Sequence, residues 1–259
     1  MNGDKVNIFE TYKDRAAAND LVKGLTKTRA IELSELQVPG TISPETIRAL
    51  YESLSCEGWI ERKGKNWIWR HEPPEYTNDH SAEVSLERTV AAKDLKTWGC
   101  QMSTSSGVQG QFLHRRRAID LVRFISPGQY AFVELKVGSD NPLYAAFEIL
   151  GYALAYLHAK SNGWRGKGTH DVFDAERVEL TILGPYRWYK YGKRGTDKQF
   201  EYKLDWLANE IANSLNAFVM AELKGKPAFT MKFRSFSGGT TDQQAADIHH
   251  RAECEWWKS

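Results

Sequence analysis

Residues 119–137, IDLVRFISPGQYAFVELKV, constrain the fold more than any other stretch: two apolar runs meet at Pro127 and Gly128, and each carries ionisable side chains inside it. Alternation along a strand sends Ala131, Val133, Leu135 and Val137 to one face of the second run and Phe132, Glu134 and Lys136 to the other. In the first run Asp120, Val122 and Phe124 share a face, opposite Ile119, Leu121, Arg123 and Ile125. A strict two-residue turn at Pro127 and Gly128 would pair Ser126 with Gln129 and set Asp120 against Leu135, on the wrong face, because a one-residue slip inverts every side chain. Matching the apolar sets therefore predicts a three-residue loop, Ser126 to Gly128, or its bulged equivalent. Gly128 is then free to take positive φ, and Asp120 lies across from Glu134.

Two carboxylates this close on half-buried strands repel one another and lose hydration unless a cation sits between them. Oxygen ligands with no His or Cys nearby favour Mg²⁺ or Mn²⁺. Such an ion can act as a Lewis acid on a phosphate and lower the pKa of a bound water, while an adjacent ammonium orients that water or offsets developing charge. Asp120, Glu134 and Lys136 thus form a minimal kit for cleaving phosphodiesters.

The surrounding pattern is mixed α/β. Leu86, Val90 and Leu95 suit a helix over 82–97, STSSGVQG reads as a loop, and strand-like runs fall at 110–116, 118–125 and 130–137. Leu143, Phe147, Leu150, Leu154 and Leu157 then form one apolar stripe on a long helix, 142–160. A strand at 177–185, a helix at 203–223 and a strand at 228–233 follow.

The residues AID, then ELK after 13 intervening residues, on neighbouring strands between a Glu-bearing helix and a second long helix, resemble the PD-(D/E)XK or restriction-endonuclease-like nuclease superfamily. The likeness covers about 82–184 and is most specific at VELKVGSDNP…GYALAY. It implies a mixed sheet flanked by helices with an αβββαβ core, and a Mg²⁺- or Mn²⁺-dependent deoxyribonuclease. By the same likeness Asp120, Glu134 and the Leu135 carbonyl bind metal, Lys136 assists catalysis, and Glu83 or Glu87 completes the site. Glu83 and Glu87 lie four apart on one helical face. Some members carry Gln-x-x-x-Tyr on the next helix; here Glu148 and Tyr152 stand at that spacing, with Glu in place of Gln.

Upstream, helical patterns at 10–24, 27–37 and 44–57 and a hairpin at 59–70 resemble a winged helix in order and size. HEPPEYTNDHS, 71–81, suits a linker, which gives a winged-helix-like domain over 1–72 and a nuclease core with a C-terminal extension over 82–259. Glu45, Glu52 and Glu57 make the helix 44–57 a poor partner for phosphate, whereas Lys63 and Lys65 suit the wing. Two uses stay open for this module: gripping DNA by the wing, or forming a homodimer. Further candidate nucleic-acid contacts are Arg115, Arg116 and Arg117 beside Asp120, and Arg187, Lys190, Lys193 and Arg194 in the aromatic and basic stretch 184–203.

A net charge of +2 means that any DNA affinity must come from such local clusters. Three scattered cysteines suggest neither a disulfide framework nor a zinc knuckle, and His249, His250 and Cys254 read as incidental polar residues of a helical tail. The sequence has no P-loop or GxGxxG motif to hold a nucleotide cofactor, no apolar run near the ~18 residues of a membrane span and no secretory start, so the expectation is a cytoplasmic protein off the membrane. Two rivals to the nuclease remain: a DNA-binding regulator that keeps the fold without the chemistry, and a winged-helix interaction scaffold that never touches nucleic acid.

Overall fold

A computed structural model describes residues 43–55, 66–70, 81–104, 118–138, 142–165, 168, 170–192, 199–201, 204–225 and 227–256. In chain order the elements are α1 (Pro44–Ser55), α2 (Ala82–Lys93), β1 (Trp98–Ser103), β2 (Ala118–Ser126), β3 (Gln129–Leu135), α3 (Pro142–Ser161), β4 (Arg177–Pro185), β5 (Lys190–Gly192), β6 (Gln199–Glu201), α4 (Asp205–Glu222), β7 (Ala228–Phe236) and α5 (Thr241–Arg251). The fold is the mixed α/β class expected. Five strands form one sheet in the order β1-β2-β3-β4-β7, antiparallel from β1 to β3 and parallel from β3 to β7, while β5 and β6 pair separately.

The hairpin between β2 and β3 meets the register requirement through a bulge. Ser126 pairs with Gln129 across Pro127 and Gly128, where Gly128 has φ +74°; the register then shifts so that Phe124 pairs with Tyr130 and Leu121 with Val133. One extra residue on β2 restores the faces that a two-residue turn would have inverted. Continuing that register by one step puts Asp120 opposite Glu134.

Helices cover both faces of the sheet. Val122, Phe132, Leu180, Ile182, Phe229 and Met231 pack beneath α3 and α4, with α1 against both helices. Leu121, Val133, Leu135, Leu183 and Phe236 pack beneath α2 and α5. The single stripe read for α3 was too narrow: Ala145, Ala146, Ile149, Leu150, Ala153, Leu154, Tyr156 and Leu157 are all buried, because α1 closes over a helix already seated on the sheet. The open edge of β7 is clamped by Asn216 of α4, whose side chain donates to Phe229 O at 2.8 Å and accepts from Phe229 N at 2.7 Å.

Two boundaries differ from the sequence reading. Helix α2 stops at Lys93 because the Asp94 carboxylate accepts the N–H groups of Lys96 (3.1 Å) and Thr97 (3.3 Å), turning the chain into β1. β1 itself occupies 98–103, where no strand was assigned, and the run 110–116 lies outside the described residues. So do the helices at 10–24 and 27–37, most of the hairpin 59–70 and most of the linker. What is described of the N-terminal segment packs on the core: Ile47 and Leu50 of α1, with Trp67 and Trp69, belong to the same buried cluster as α3 and α4. Trp67 also donates its N–H to Ser103 O at the end of β1, at 2.8 Å. No helix among the described residues is long and apolar enough to cross a membrane.

Candidate active site

The site forms where β2 and β3 part company. Cys100 pairs with Leu121 and Met102 with Ile119, but no rung joins Gln101 to Asp120 between them, and Gln101 has φ +51°. The interruption is felt in the packing, since Cys100 and Leu121 belong to the cluster under α2 while Met102 and Ile119 belong to the cluster under α3. Released from the ladder, Asp120 uses its side chain: Oδ2 accepts the Leu135 N–H at 2.8 Å. On the other side of β3 the Lys136 N–H is held by Leu183 O at 2.9 Å. The end of β3 is therefore fixed from both flanks, with Glu134 as its penultimate residue and Lys136 immediately after it.

Helices on opposite faces of the sheet complete the cluster. From α3, Glu148 Oε2 lies 2.8 Å from Lys136 Nζ, which is also 2.8 Å from Glu134 Oε1. From α2, Glu83 Oε1 accepts the Val137 N–H at 3.1 Å, and buried Glu87 accepts a hydrogen bond on Oε2 from Gln101 Nε2. Both glutamates proposed for the helix thus reach the site, the first at its rim and the second at its floor. Glu134 and Lys136 are only 3% and 6% exposed, so desolvation offsets much of their attraction, and loss of either partner would leave an uncompensated buried charge.

Burial raises the Asp120 carboxyl well above the ordinary range, and the Glu87 charge adds to it; burial does the same to Glu134, helped by Asp120. Glu87 is pushed up to about 7, mainly by burial and against the pull of the Gln101 hydrogen bond. Burial draws the Lys136 ammonium down, but Glu134 and Glu148 outweigh it and the net direction is up. Lys136 is thus the cation already placed between two carboxylates, and among the described residues no three His, Cys, Asp or Glu side chains are grouped closely enough to hold a metal ion as they stand. The second oxygen of Glu134, Oε2, is buried and finds no hydrogen-bond partner among the described residues. A buried, partnerless carboxylate oxygen beside Asp120 fits a hard cation.

No protein-family model, no curated protein and no solved structure matches the chain significantly.

The remaining candidates divide. Tyr152 is half-buried and packs against the larger core cluster, and Leu135 is fully buried. Arg187 is exposed in the turn after β4, and Lys190 holds its Nζ 4.2 Å from the centre of the Tyr186 ring. Because β3 and β4 run parallel, that turn leaves the sheet at the end where Glu134 and Lys136 lie. Lys63, Lys65, Arg115, Arg116, Arg117, Lys193 and Arg194 lie outside the described residues. In the tail, His249 Nε2 is 2.8 Å from Val90 O and Cys254 Sγ is 3.8 Å from His250 Nδ1, contacts that tie the helix down or stay local to it.

Sequence reasoning missed Gln101. The alternation of Trp98, Cys100 and Met102 was the available signal for its strand. Cys100, beside it, is a neutral packing residue, since burial pushes its thiol up to about 11.

Proposed function

We propose that the chain is a Mg²⁺- or Mn²⁺-dependent nuclease that hydrolyses DNA phosphodiesters on a restriction-endonuclease-like core. The observation that carries this reading is the convergence of Asp120 from β2, Glu134 from β3, Lys136 just beyond it, and Glu87 from α2 at one opened end of the sheet. The element order α2-β1-β2-β3-α3-β4 and the parallel β3–β4 pair support the same resemblance.

Asp120, Glu134 and the Leu135 carbonyl would hold the ion, with Glu87 or Glu83 as the additional carboxylate. When bound, the ion supplies Lewis acidity toward a phosphate oxygen and a more acidic water. The chain's own contribution is arrangement and charge. Leu135 N–H fixes the Asp120 carboxylate, and Glu148 holds the Lys136 ammonium beside Glu134, where it can orient an attacking water or offset charge on the phosphate. Carboxyls whose proton affinity is raised by burial give up protons as a cation enters, so uptake strengthens with pH. Arg187 and Lys190, at the same end of the sheet, are suited to the nucleic-acid backbone.

Titrating Mg²⁺ and Mn²⁺ against linear, circular and single-stranded DNA tests this, with Asp120→Asn and Lys136→Ala alongside. Metal-dependent cleavage that both substitutions abolish, with DNA binding retained, is the expected result. Binding without cleavage under either ion would instead favour a regulator that keeps the fold. The double ion pair of Lys136 is the feature that suits that second reading, since it already engages Glu134, one of the carboxylates that a metal would need.

A further inference from the structure

Gln101 combines three features that a mere packing residue does not need. It holds φ +51° within a strand, a left-handed conformation that Gly or Asn adopts at less cost. It stands opposite Asp120 at the missing rung between the Cys100–Leu121 and Met102–Ile119 pairs. Its amide donates to the buried Oε2 of Glu87, a carboxylate within electrostatic reach of both Glu134 and Asp120. A regular strand would send residue 101 to the face opposite its neighbours and close the ladder over Asp120. The left-handed turn does two things at once: it opens the ladder and delivers a hydrogen-bond donor to the floor of the site.

We infer that Gln101 is a positioning residue, which holds the Glu87 carboxylate on the side of Asp120 and Glu134 so that the entry of a divalent cation can draw it in as the third acidic group. The inference rests on the metal-dependent reading above and deepens it by assigning Glu87, rather than Glu83, to the floor. Glu83 is engaged by the Val137 N–H at the rim. Partners that orient a metal-binding group typically contribute about 10- to 100-fold to affinity or activity.

A double-substitution cycle on the full chain separates positioning from backbone strain. Gln101→Gly relieves the left-handed backbone and removes the amide; Gln101→Asn tolerates the backbone but has a shorter reach; Glu87→Gln removes the charge that is held. Thermal unfolding, Mn²⁺ affinity by calorimetry, and kcat and KM for DNA cleavage are measured for each and for the Gln101→Gly/Glu87→Gln pair. Gln101→Gly should unfold close to the wild-type temperature, because relief of the backbone offsets the lost hydrogen bond to Glu87, bind Mn²⁺ about 10-fold more weakly and lose about 10- to 100-fold in kcat with KM within about twofold. Adding it to Glu87→Gln should cost nothing further, because the two act as one unit. Wild-type Mn²⁺ affinity and kcat in Gln101→Gly, or losses that multiply with those of Glu87→Gln, would overturn the assignment. A wild-type chain that binds Mn²⁺ but cuts no DNA sinks the nuclease reading alone, and the cycle on Mn²⁺ affinity still decides Gln101. A wild-type chain that binds no Mn²⁺ overturns both.

Discussion

Asp120 and Leu135 are joined by a side chain where a backbone bond would be expected: Oδ2 of the first accepts the N–H of the second at 2.8 Å, at the point where β2 leaves β3. This gives Asp120 a structural role beside the metal-binding one proposed for it, and the two can be separated. Asp120→Asn keeps an oxygen that can accept the Leu135 N–H but loses the charge. It should unfold within about 1 kcal/mol of wild type while cleavage falls at least about 100-fold. Asp120→Ala strands a buried N–H and should cost about 1–3 kcal/mol in chemical denaturation as well.

Lys136 balances Glu134 and Glu148 in a buried setting. Removing one partner of such a pair typically costs about 3–5 kcal/mol because the other charge is left uncompensated. Lys136→Met should show that loss near pH 8 and a smaller one near pH 5, where Glu134, already raised by burial, takes a proton instead. Urea unfolding at the two pH values measures the difference, and an equal loss at both would contradict the assigned charge state.

The stability of the metal-free chain should fall as pH rises from about 4.5 to above 7. Glu87 is raised from an ordinary 4.5 to about 7, so the folded chain retains a proton that the unfolded chain releases. The favourable contribution is complete below the lower value and is lost on passing the upper one. Asp120 and Glu134 are displaced in the same direction and add to the trend. Glu87→Gln should flatten the slope by on the order of 3 kcal/mol across that window, and saturating Mg²⁺ should restore stability most at the alkaline end.

If Arg187 and Lys190 meet phosphate, replacing either with Ala should weaken binding to all DNA sequences alike and reduce the slope of log affinity against log salt by about 1. Fluorescence anisotropy on a labelled duplex across a salt series measures this. An unchanged slope would place the exposed turn away from the backbone.

Asn216→Ala removes both bonds that close the edge of β7 at Phe229. The expected cost is about 1–3 kcal/mol, read in chemical denaturation, because two main-chain groups lose their partners together.

The region from 120 to 138 was legible in advance because period-2 alternation and the turn residues act locally, and together they leave few registers, whereas Ile119 packs with Val122 under α3 and not with Leu121, because the ladder is interrupted at Asp120. The bulge at Ile125 was required by the faces of residues many positions away from it. By the same logic 177–185, 142–160 and 203–223 read nearly to their ends, although the depth of α3 did not, since burial of its outer side depends on α1, a long-range partner. Asp120, Glu134, Lys136, Glu148, Glu83 and Glu87 could all be named from strand and helix spacing and a family likeness. What spacing could not supply was their pairing: that Lys136 would be shared by Glu134 and Glu148, and Glu87 met by a glutamine in a left-handed conformation. A positive φ at a non-glycine residue has no local signature, and β1 was missed because its short alternation follows directly on a helical pattern.

The shared ammonium has a further consequence for how such a chain comes into being. A positive partner at the heart of the sheet comes from within the polypeptide, and burial favours the protonated form of the carboxyls around it, so acquiring the native arrangement does not have to wait on the supply of any dissolved ion. On the metal-dependent reading proposed above, maturation and loading would then be separate events, governed by different concentrations and at different times.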